Sequence, residues 1–255
     1  MQRRYDSRSY YPYDEPISMA IRVGGILSLI GFLVLMAGPI GYRIGLLSLP
    51  VALNRVFVGG AYLAGIGLVF SVAGLVSTWR RPRGHSRGVG RAVLAIAVGA
   101  LTLRAGGRIP FITPPPTLSD ISTDTLDPPD YVALREARGE AASIAYPGGA
   151  LAVRQREAYP DIQPLTLSIS KDEAFAKALG TVRDLGWKLV AADGPAGRIE
   201  ASASTRLFGT VDDVVVRVSE VTGGSRVDVR AASRDESGGA NPSRVRAILQ
   251  ALQPS

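Results

Sequence analysis

Two long runs of this chain carry no charged side chain: residues 23–40 and residues 56–78. The first is dense in Ile26, Leu27, Leu29, Ile30, Phe32, Leu33, Val34, Leu35 and Met36. In hydrocarbon only a helix satisfies every backbone group within one segment. About 20 residues at a rise of about 1.5 Å cross the roughly 30 Å core of a bilayer. A helix of this length buried in a soluble core would still show a polar face, and neither run has one. Both are therefore expected to span a membrane. A third run, residues 88–104, is weaker, because Arg91 and Arg104 bracket its uncharged part. It crosses if those arginines snorkel and lies in the interface if they do not. Within the second run Gly60 and Ala64, and Ala61 and Gly65, sit four apart, a spacing that lets helix backbones approach, within one chain or between chains.

From residue 109 the pattern changes. Residues 109–130 contain Pro110, Pro114, Pro115, Pro116, Pro128 and Pro129, and are expected to form an extended spacer. Residues 131–163 give mixed signals, with a short helix expected inside 131–142 and a break at Pro147, Gly148 and Gly149. Leu165, Leu167 and Ile169 then alternate as in a strand. Ser170 with Glu173 makes a capping box, and Phe175, Ala178, Leu179, Val182 and Leu185 form the apolar stripe of the helix that follows, stopped at Gly186. Four more alternating segments come next, around Leu189, Ile199, Val216 and Val229, the last two joined by a tight turn at Gly223 and Gly224. Asn241 and Pro242 open a final helix whose Val245, Ile248, Leu249 and Leu252 share a face.

The expected architecture is thus a polar tail (residues 1–20), a transmembrane helical region (21–108, spans near 23–40, 56–78 and 88–104), the spacer 109–130, and an α+β soluble domain (131–255). The domain has the order βαββββα: an antiparallel sheet of about five strands with two helices packed on its apolar face.

Charge divides the chain at the same place. Residues 1–108 hold thirteen arginines and three acids, whereas residues 109–255 hold sixteen basic and nineteen acidic residues. The high pI therefore belongs to the membrane region. A nucleic-acid partner is not expected, since the soluble domain is mildly acidic. Arginines crowd the tail (Arg3, Arg4, Arg8, Arg22) and the loop after the second run (Arg80, Arg81, Arg83, Arg87, Arg91). With three spans these segments share one side, the cytoplasmic one, and the soluble domain lies outside the cell (inner) membrane. With two spans it would be cytoplasmic. The long leader with Asp6, Asp14 and Glu15 is not expected to be a cleaved signal peptide.

Chemistry is narrowed mostly by what is missing. There is no cysteine, and the single histidine, His85, lies in the arginine-rich loop. Histidine- or cysteine-based nucleophilic catalysis and the usual zinc sites therefore have no residues to use in the soluble domain. No phosphate-cradling glycine loop opens a helix after a strand. Asp120, Ser122, Asp124 and Asp127 could offer oxygens to a hard cation, but Thr125 stands where a calcium loop turns on glycine, and Asx and Ser/Thr turns account for them better. Asp212 and Asp213 precede a run of valines and could do acid–base work as a pair, but adjacent strand residues diverge, and a turn before the strand is the ordinary reading. Trp187 falls on the apolar set and is expected to pack in the core. One sheet face gathers Arg198, Glu200, Asp213, Arg217, Arg226, Asp228 and Arg230. A solvated face of charge pairs is the ordinary reading. If a polar or anionic ligand binds, it binds here, with Arg217, Arg230, Arg234 and Asp213 as its ligand-binding residues. No catalytic residue, metal ligand or cofactor is assigned.

Several blocks carry a family likeness: Asp120-Ile121-Ser122-Thr123-Asp124 with Pro128-Pro129, Ala158-Tyr159-Pro160-Asp161-Ile162, Gly197-Arg198-Ile199-Glu200-Ala201, Asp212-Asp213 with the valines after them, Ser225-Arg226-Val227-Asp228-Val229-Arg230, and Gly239-Ala240-Asn241. In this order they resemble the bacterial family called domain of unknown function 1499, over about residues 113–252. The resemblance implies a membrane-anchored bacterial protein of unassigned activity and transfers no catalytic residue. The expected role is a non-enzymatic binding or accessory protein of the cell envelope, with the lipid bilayer and another envelope protein as partners. The alternatives are a small-molecule or lipid-binding domain and, third, a hydrolase using acids such as Asp124 and Asp213.

Overall fold

Glycine recurs at every seventh position on two N-terminal helices, and that period builds the first unit of the molecule. The computed structural model describes residues 19–79, 89–106, 118–139, 145–234 and 240–253. They belong to two units, Met1–Ile112 and Thr113–Ser255. In the first, α1 (Met19–Arg43) is followed by the single turn α2 (Leu49–Val51). A π-helical stretch (Ala52–Phe57) then continues into α3 (Val58–Trp79), and α4 (Val89–Gly106) completes the unit.

Gly24, Gly31 and Gly38 on α1 meet, in antiparallel order, Gly67 with Ser71, Gly60 with Ala64, and Ala52 with Phe57. A β-carbon at Gly24, Gly31, Gly60 or Gly67 would run into the backbone of the facing helix, which cannot yield. The seven-residue period keeps this seam turned inward along the length of both helices. Gly60 and Ala64, expected as a packing pair, lie on it, and the contact they make is within the chain. Gly99 brings α4 against Leu68 and Ala64 of α3.

Most large apolar side chains of these helices point the other way, with Ile21 and Leu35 of α1 buried as exceptions. Leu29, Leu33 and Val69 are 56%, 58% and 67% exposed, whereas Ser28 and Ser71 are buried. Only 33% and 28% of the most apolar windows of Met19–Arg43 and Leu49–Ser77 are buried, too little for core helices of a soluble protein. These two are the described helices long and apolar enough to cross a membrane. The third expected crossing falls on the 18-residue α4, which is not one of those two.

The second unit is an antiparallel sheet with helices. Its strands are β1 (Asp120–Ser122), β2 (Leu165–Leu167), β3 (Lys188–Asp193), β4 (Arg198–Ser204), β5 (Val211–Val221) and β6 (Gly224–Ser233). The meander β3-β4-β5-β6 runs as its alternation predicts, with β6 hairpinned to β5 through Gly223 at φ 84°. On the far side of β6, β1 pairs with residues 230–232 and β2 with residues 225–227. The sheet therefore has six strands where about five are expected. The additional strand, β1, lies inside the segment 109–130 expected as spacer. Proline-rich sequence does favour extended backbone, and here residues 120–122 spend theirs on an open strand edge. A three-residue strand with one apolar side chain, Ile121, shows no alternation to read.

Helices α7 (Lys171–Asp184) and α8 (Asn241–Leu252) cover one sheet face. Ala174, Ala178 and Val182 of α7 and Val245, Ile248 and Leu249 of α8 close on Ile199, Val214, Val216, Val227 and Val229. Trp187 packs at the edge of this core, as expected. The Ser170 hydroxyl accepts from the backbone N–H of Glu173 at 3.2 Å, one half of the expected capping box, while the Glu173 carboxylate turns to Lys177, and Gly186 takes φ 69° at the stop. Asn241 behaves differently from expectation. It is the first helical residue, and its amide donates to the carbonyls of Leu118 and Ser119, tying the start of α8 to the strand β1 enters. Two short helices occupy 131–163: α5 (Arg135–Arg138) and α6 (Gly149–Ala158). The second starts at the glycine expected to break structure, because Gly148 and Gly149 take positive φ just where α6 begins.

Candidate functional site

Alternation along β4, β5 and β6 sends one set of side chains to the apolar core and the other to the opposite face. That second set contains Glu200, Asp213, Val215, Arg217, Asp228 and Arg230, in a register that sets Arg217 across from Asp228 and Asp213 across from Ala232. The expectation of a solvated face fails here. Glu200, Asp213, Asp228 and Arg230 are each at most 1% exposed. The segment 118–138 lies over them as a strap, with Tyr131 and Leu134 packed on Val215 and Ala232.

Charge fastens the strap. Three of its acids meet three arginines of the sheet, and the two sets run in opposite chain order. Asp120 takes a two-pronged donation from Arg230 at 2.7 and 3.0 Å. Asp124 accepts from Arg226 at 2.6 Å and Asp127 from Arg217 at 2.9 Å. Arg138 of the strap donates in return to Asp213 at 3.0 Å. The strap holds Glu200 through backbone: the N–H groups of Val132, Ala133 and Leu134 all donate to its carboxylate at 2.9–3.1 Å, and Arg198 of β4 pairs with the same carboxylate at 3.1 Å. Three successive N–H groups converging on one carboxylate explain why the chain turns there. The Tyr131 ring sits between the guanidinium groups of Arg138 and Arg230, 4.7 and 4.8 Å from its centroid. From α6, Gln155 reads both polar groups of Ser122, accepting from its N–H at 3.0 Å and donating to its carbonyl at 2.6 Å.

The ionisation of the layer follows from burial and pairing. Burial pushes the Asp120 carboxyl up, the Arg230 guanidinium pulling against it. The same pairing overcomes burial at Arg230 and raises it. At Asp124 burial is outweighed by the N–H groups of Asp127 and Leu126 and by Arg226 and Arg217, and the carboxyl is held below its usual range. Burial, with the negative Asp120 nearby, pushes the Tyr146 phenol up to about 12, so it stays a neutral donor to Gln155.

The four expected ligand-binding residues do share this face. Their donors and acceptors are engaged within the chain: Arg230 by Asp120, Arg217 by Asp127 and Asp228, and Arg234 by Asp213 and Ser202. Asp213 takes Arg138, Arg234 and the Ser202 hydroxyl together. An anion binding here would have to displace carboxylates already in place. Asp124 makes the expected Asx turn, accepting from the N–H groups of Leu126 and Asp127. Asp212 diverges from Asp213, as expected, and accepts from Ser233 on the other side of β5. Both aspartates lie within β5 itself rather than in a turn before it. No cluster of three metal-ligating side chains occurs among the described residues.

Sequence reasoning missed Tyr131, Arg138 and Gln155. Their partners lie 82, 75 and 33 positions away along the chain, beyond the reach of any local pattern. One signal was present: acids at 120, 124 and 127 mirror arginines at 230, 226 and 217.

A family model described as protein of unknown function (DUF1499) matches residues 120–252. That match begins at the first residue of β1 and ends at the last residue of α8, so it takes in the strap as part of the domain. No curated protein matches the chain, and no solved structure does.

Proposed function

The chain belongs to the DUF1499 family of proteins of unknown function, and from that premise we propose that it is a membrane-anchored accessory protein whose strapped α+β domain works by binding another protein of the cell envelope. The observation that carries the anchor is the inverted packing of α1 and α3. Glycine, alanine and serine face inward, while Leu29, Leu33 and Val69 face outward. In water that arrangement exposes the wrong side chains. In hydrocarbon, where burying leucine against leucine gains little, close backbone packing of small residues is what holds helices together.

The binding role is supported by the chemistry of the domain. Residues 109–255 contain neither histidine nor cysteine, and the carboxylates of the charged layer are committed to arginines or to backbone N–H groups. With α4 as a third crossing, the arginine-rich flanks are cytoplasmic and the domain lies outside the inner membrane. α4 lies antiparallel to α3 and parallel to α1, an arrangement that supports this topology.

Two measurements test the proposal. A C-terminal reporter active only outside the cytoplasm should be active when fused to the full chain; a reporter active only inside would overturn the topology. Crosslinking in intact cells should join the domain to an envelope protein. A domain that crosslinks to nothing but turns over a small substrate would overturn the binding role.

A further inference from the structure

A cleft of about 430 Å³ opens between α1 and α4. Its walls are Ile26 and Leu29 on α1 and Leu94 and Val98 on α4, Gly25 lies in its floor, and Arg22 stands at one end. A β-carbon on Gly25 would find only Ala95, at 4.0 Å, so the floor is open where a side chain would fill it. Arg22 to Leu29 is about 10 Å of helix. Apart from Ser28 the rest of the lining is apolar, and the one charged group in it is a cation at the end where α1 begins.

That end is also the basic end of the unit. Because α3 returns antiparallel to α1, its C-terminus and the start of α4 come to the level of the start of α1. The chain flanking these three helix ends carries nine arginines, at positions 3, 4, 8, 22, 80, 81, 83, 87 and 91, against three acids, at 6, 14 and 15. An occupant must therefore be an apolar rod with a negative head at the Arg22 end.

We propose that this cleft seats one acyl chain of an anionic phospholipid, with Arg22 against its phosphate. The inference rests on the membrane reading above. Apolar walls take the chain, and the missing side chain at Gly25 makes room for it. The guanidinium supplies two N–H donors to the phosphate oxygens. A second helix from another copy would want the cation elsewhere, since Arg22 would then face lipid or protein without a partner.

The full chain, purified in a mild detergent and mixed with equal phosphatidylglycerol and phosphatidylcholine, should keep one phosphatidylglycerol in native mass spectrometry. The preference should be about fivefold over phosphatidylcholine, one arginine's share of attraction to an anionic headgroup. Arg22→Gln should bring the two lipids to parity. Gly25→Leu should remove both adducts. Equal adducts on the unaltered chain, a phosphatidylglycerol adduct that survives both substitutions, or a two-chain mass without lipid would overturn the proposal. Arg22 is exposed at a helix end, so its substitution leaves the fold in place even if Gly25→Leu does not. Failure of the membrane reading looks different: the chain would then stay in the supernatant after detergent-free lysis and centrifugation, whatever lipid it binds.

Discussion

The two units of this chain bury opposite kinds of residue. Met1–Ile112 hides glycine and serine at its α1–α3 seam and shows leucine, isoleucine and valine outside. Thr113–Ser255 hides valine and alanine on one face of its sheet and a layer of arginines and carboxylates on the other. The first unit is held by backbones brought close, the second by apolar burial on one side and charge on the other. A polar residue is thus buried for different reasons in each. Ser71 in the first donates to the carbonyl of Gly67 in its own helix, the local solution open to a hydroxyl with no water nearby. Asp120 in the second is matched by an arginine 110 positions away. Charge in a folded interior demands a partner, whatever the distance along the chain.

The charged layer gives the largest expected effect. Asp120→Ala leaves Arg230, 0% exposed, without its two-pronged partner. Breaking a buried pair in this way costs about 3–5 kcal/mol. The double substitution Asp120→Leu with Arg230→Met should recover most of that loss, because the pair's mutual attraction is largely cancelled by the desolvation of both groups. Unfolding of the full chain in detergent, followed in the aromatic circular dichroism of the domain, reads both. A double variant as unstable as the single one would show that the layer holds the strap by more than pairing.

The outer surface of the helices comes next. Ile30 lies near the middle of α1 and is 43% exposed. If that surface meets hydrocarbon, Ile30→Lys costs roughly 2.5–3.5 kcal/mol of insertion. If it meets water, the change lies within about 0.5 kcal/mol. The fraction of chain resisting alkaline extraction from membranes separates the two.

The seam should respond to added bulk where the outer face does not. Gly31→Leu drives a side chain into the backbone of Gly60 and Ala64, and overpacking of this kind costs about 1–3 kcal/mol. Gly59 is next to a seam glycine in sequence but has open space around it. Gly59→Leu should be neutral, or stabilising by up to about 1 kcal/mol through helix propensity. Thermal melting of both variants in the same detergent makes the comparison, and equal losses would refute the seam.

How much of this was legible in the sequence depended on range. The meander, α7 with its Ser170 cap, and the apolar stripe of α8 all rest on spacings of two to four residues, and each was readable. The heptad of glycines, at 24, 31, 38 and at 60, 67, 74, is also written in the sequence, but so is the four-residue spacing of Ala61 and Gly65, and nothing local ranks one period above the other. What local pattern could not carry was the strap. A three-residue strand has no period, and a proline-rich segment looks the same whether it hangs free or lies on a sheet. The charged face was correctly grouped by alternation, but its burial depended on a segment about 100 positions away.

Smaller effects sharpen the picture within the domain. Ser170→Ala removes the side-chain acceptor that caps the start of α7, and the loss should be about 1 kcal/mol, typical of such caps. The helix packs on the core along Ala174, Ala178 and Val182, so the domain should stay folded and simply melt earlier.

The smallest effect concerns the rim. Arg246 of α8 donates twice to Asp161, at 2.6 and 2.8 Å, just beyond the end of α6. That hydrogen bonding, more than it is opposed by burial, holds the Asp161 carboxyl below its ordinary value of 3.8. A carboxyl depressed in the folded state contributes stability above its unfolded value, and loses it as the pH falls through its folded value. Asp161 is 53% exposed, so solvent screens the pair and its contribution is at most about 1 kcal/mol. Asp161→Asn should therefore melt slightly earlier than the unaltered chain at pH 7, and no earlier once the Asp161 carboxyl is protonated in the folded and the unfolded chain alike. Asp120, buried under the strap and shifted upward, has the opposite sign: its titration favours the folded state below pH 3.8 and withdraws that preference as the pH rises through its raised value. A gap between the Asp161→Asn and unaltered curves that persisted in acid would mean the aspartate acts through packing on Tyr159 and Arg246, and not through its charge.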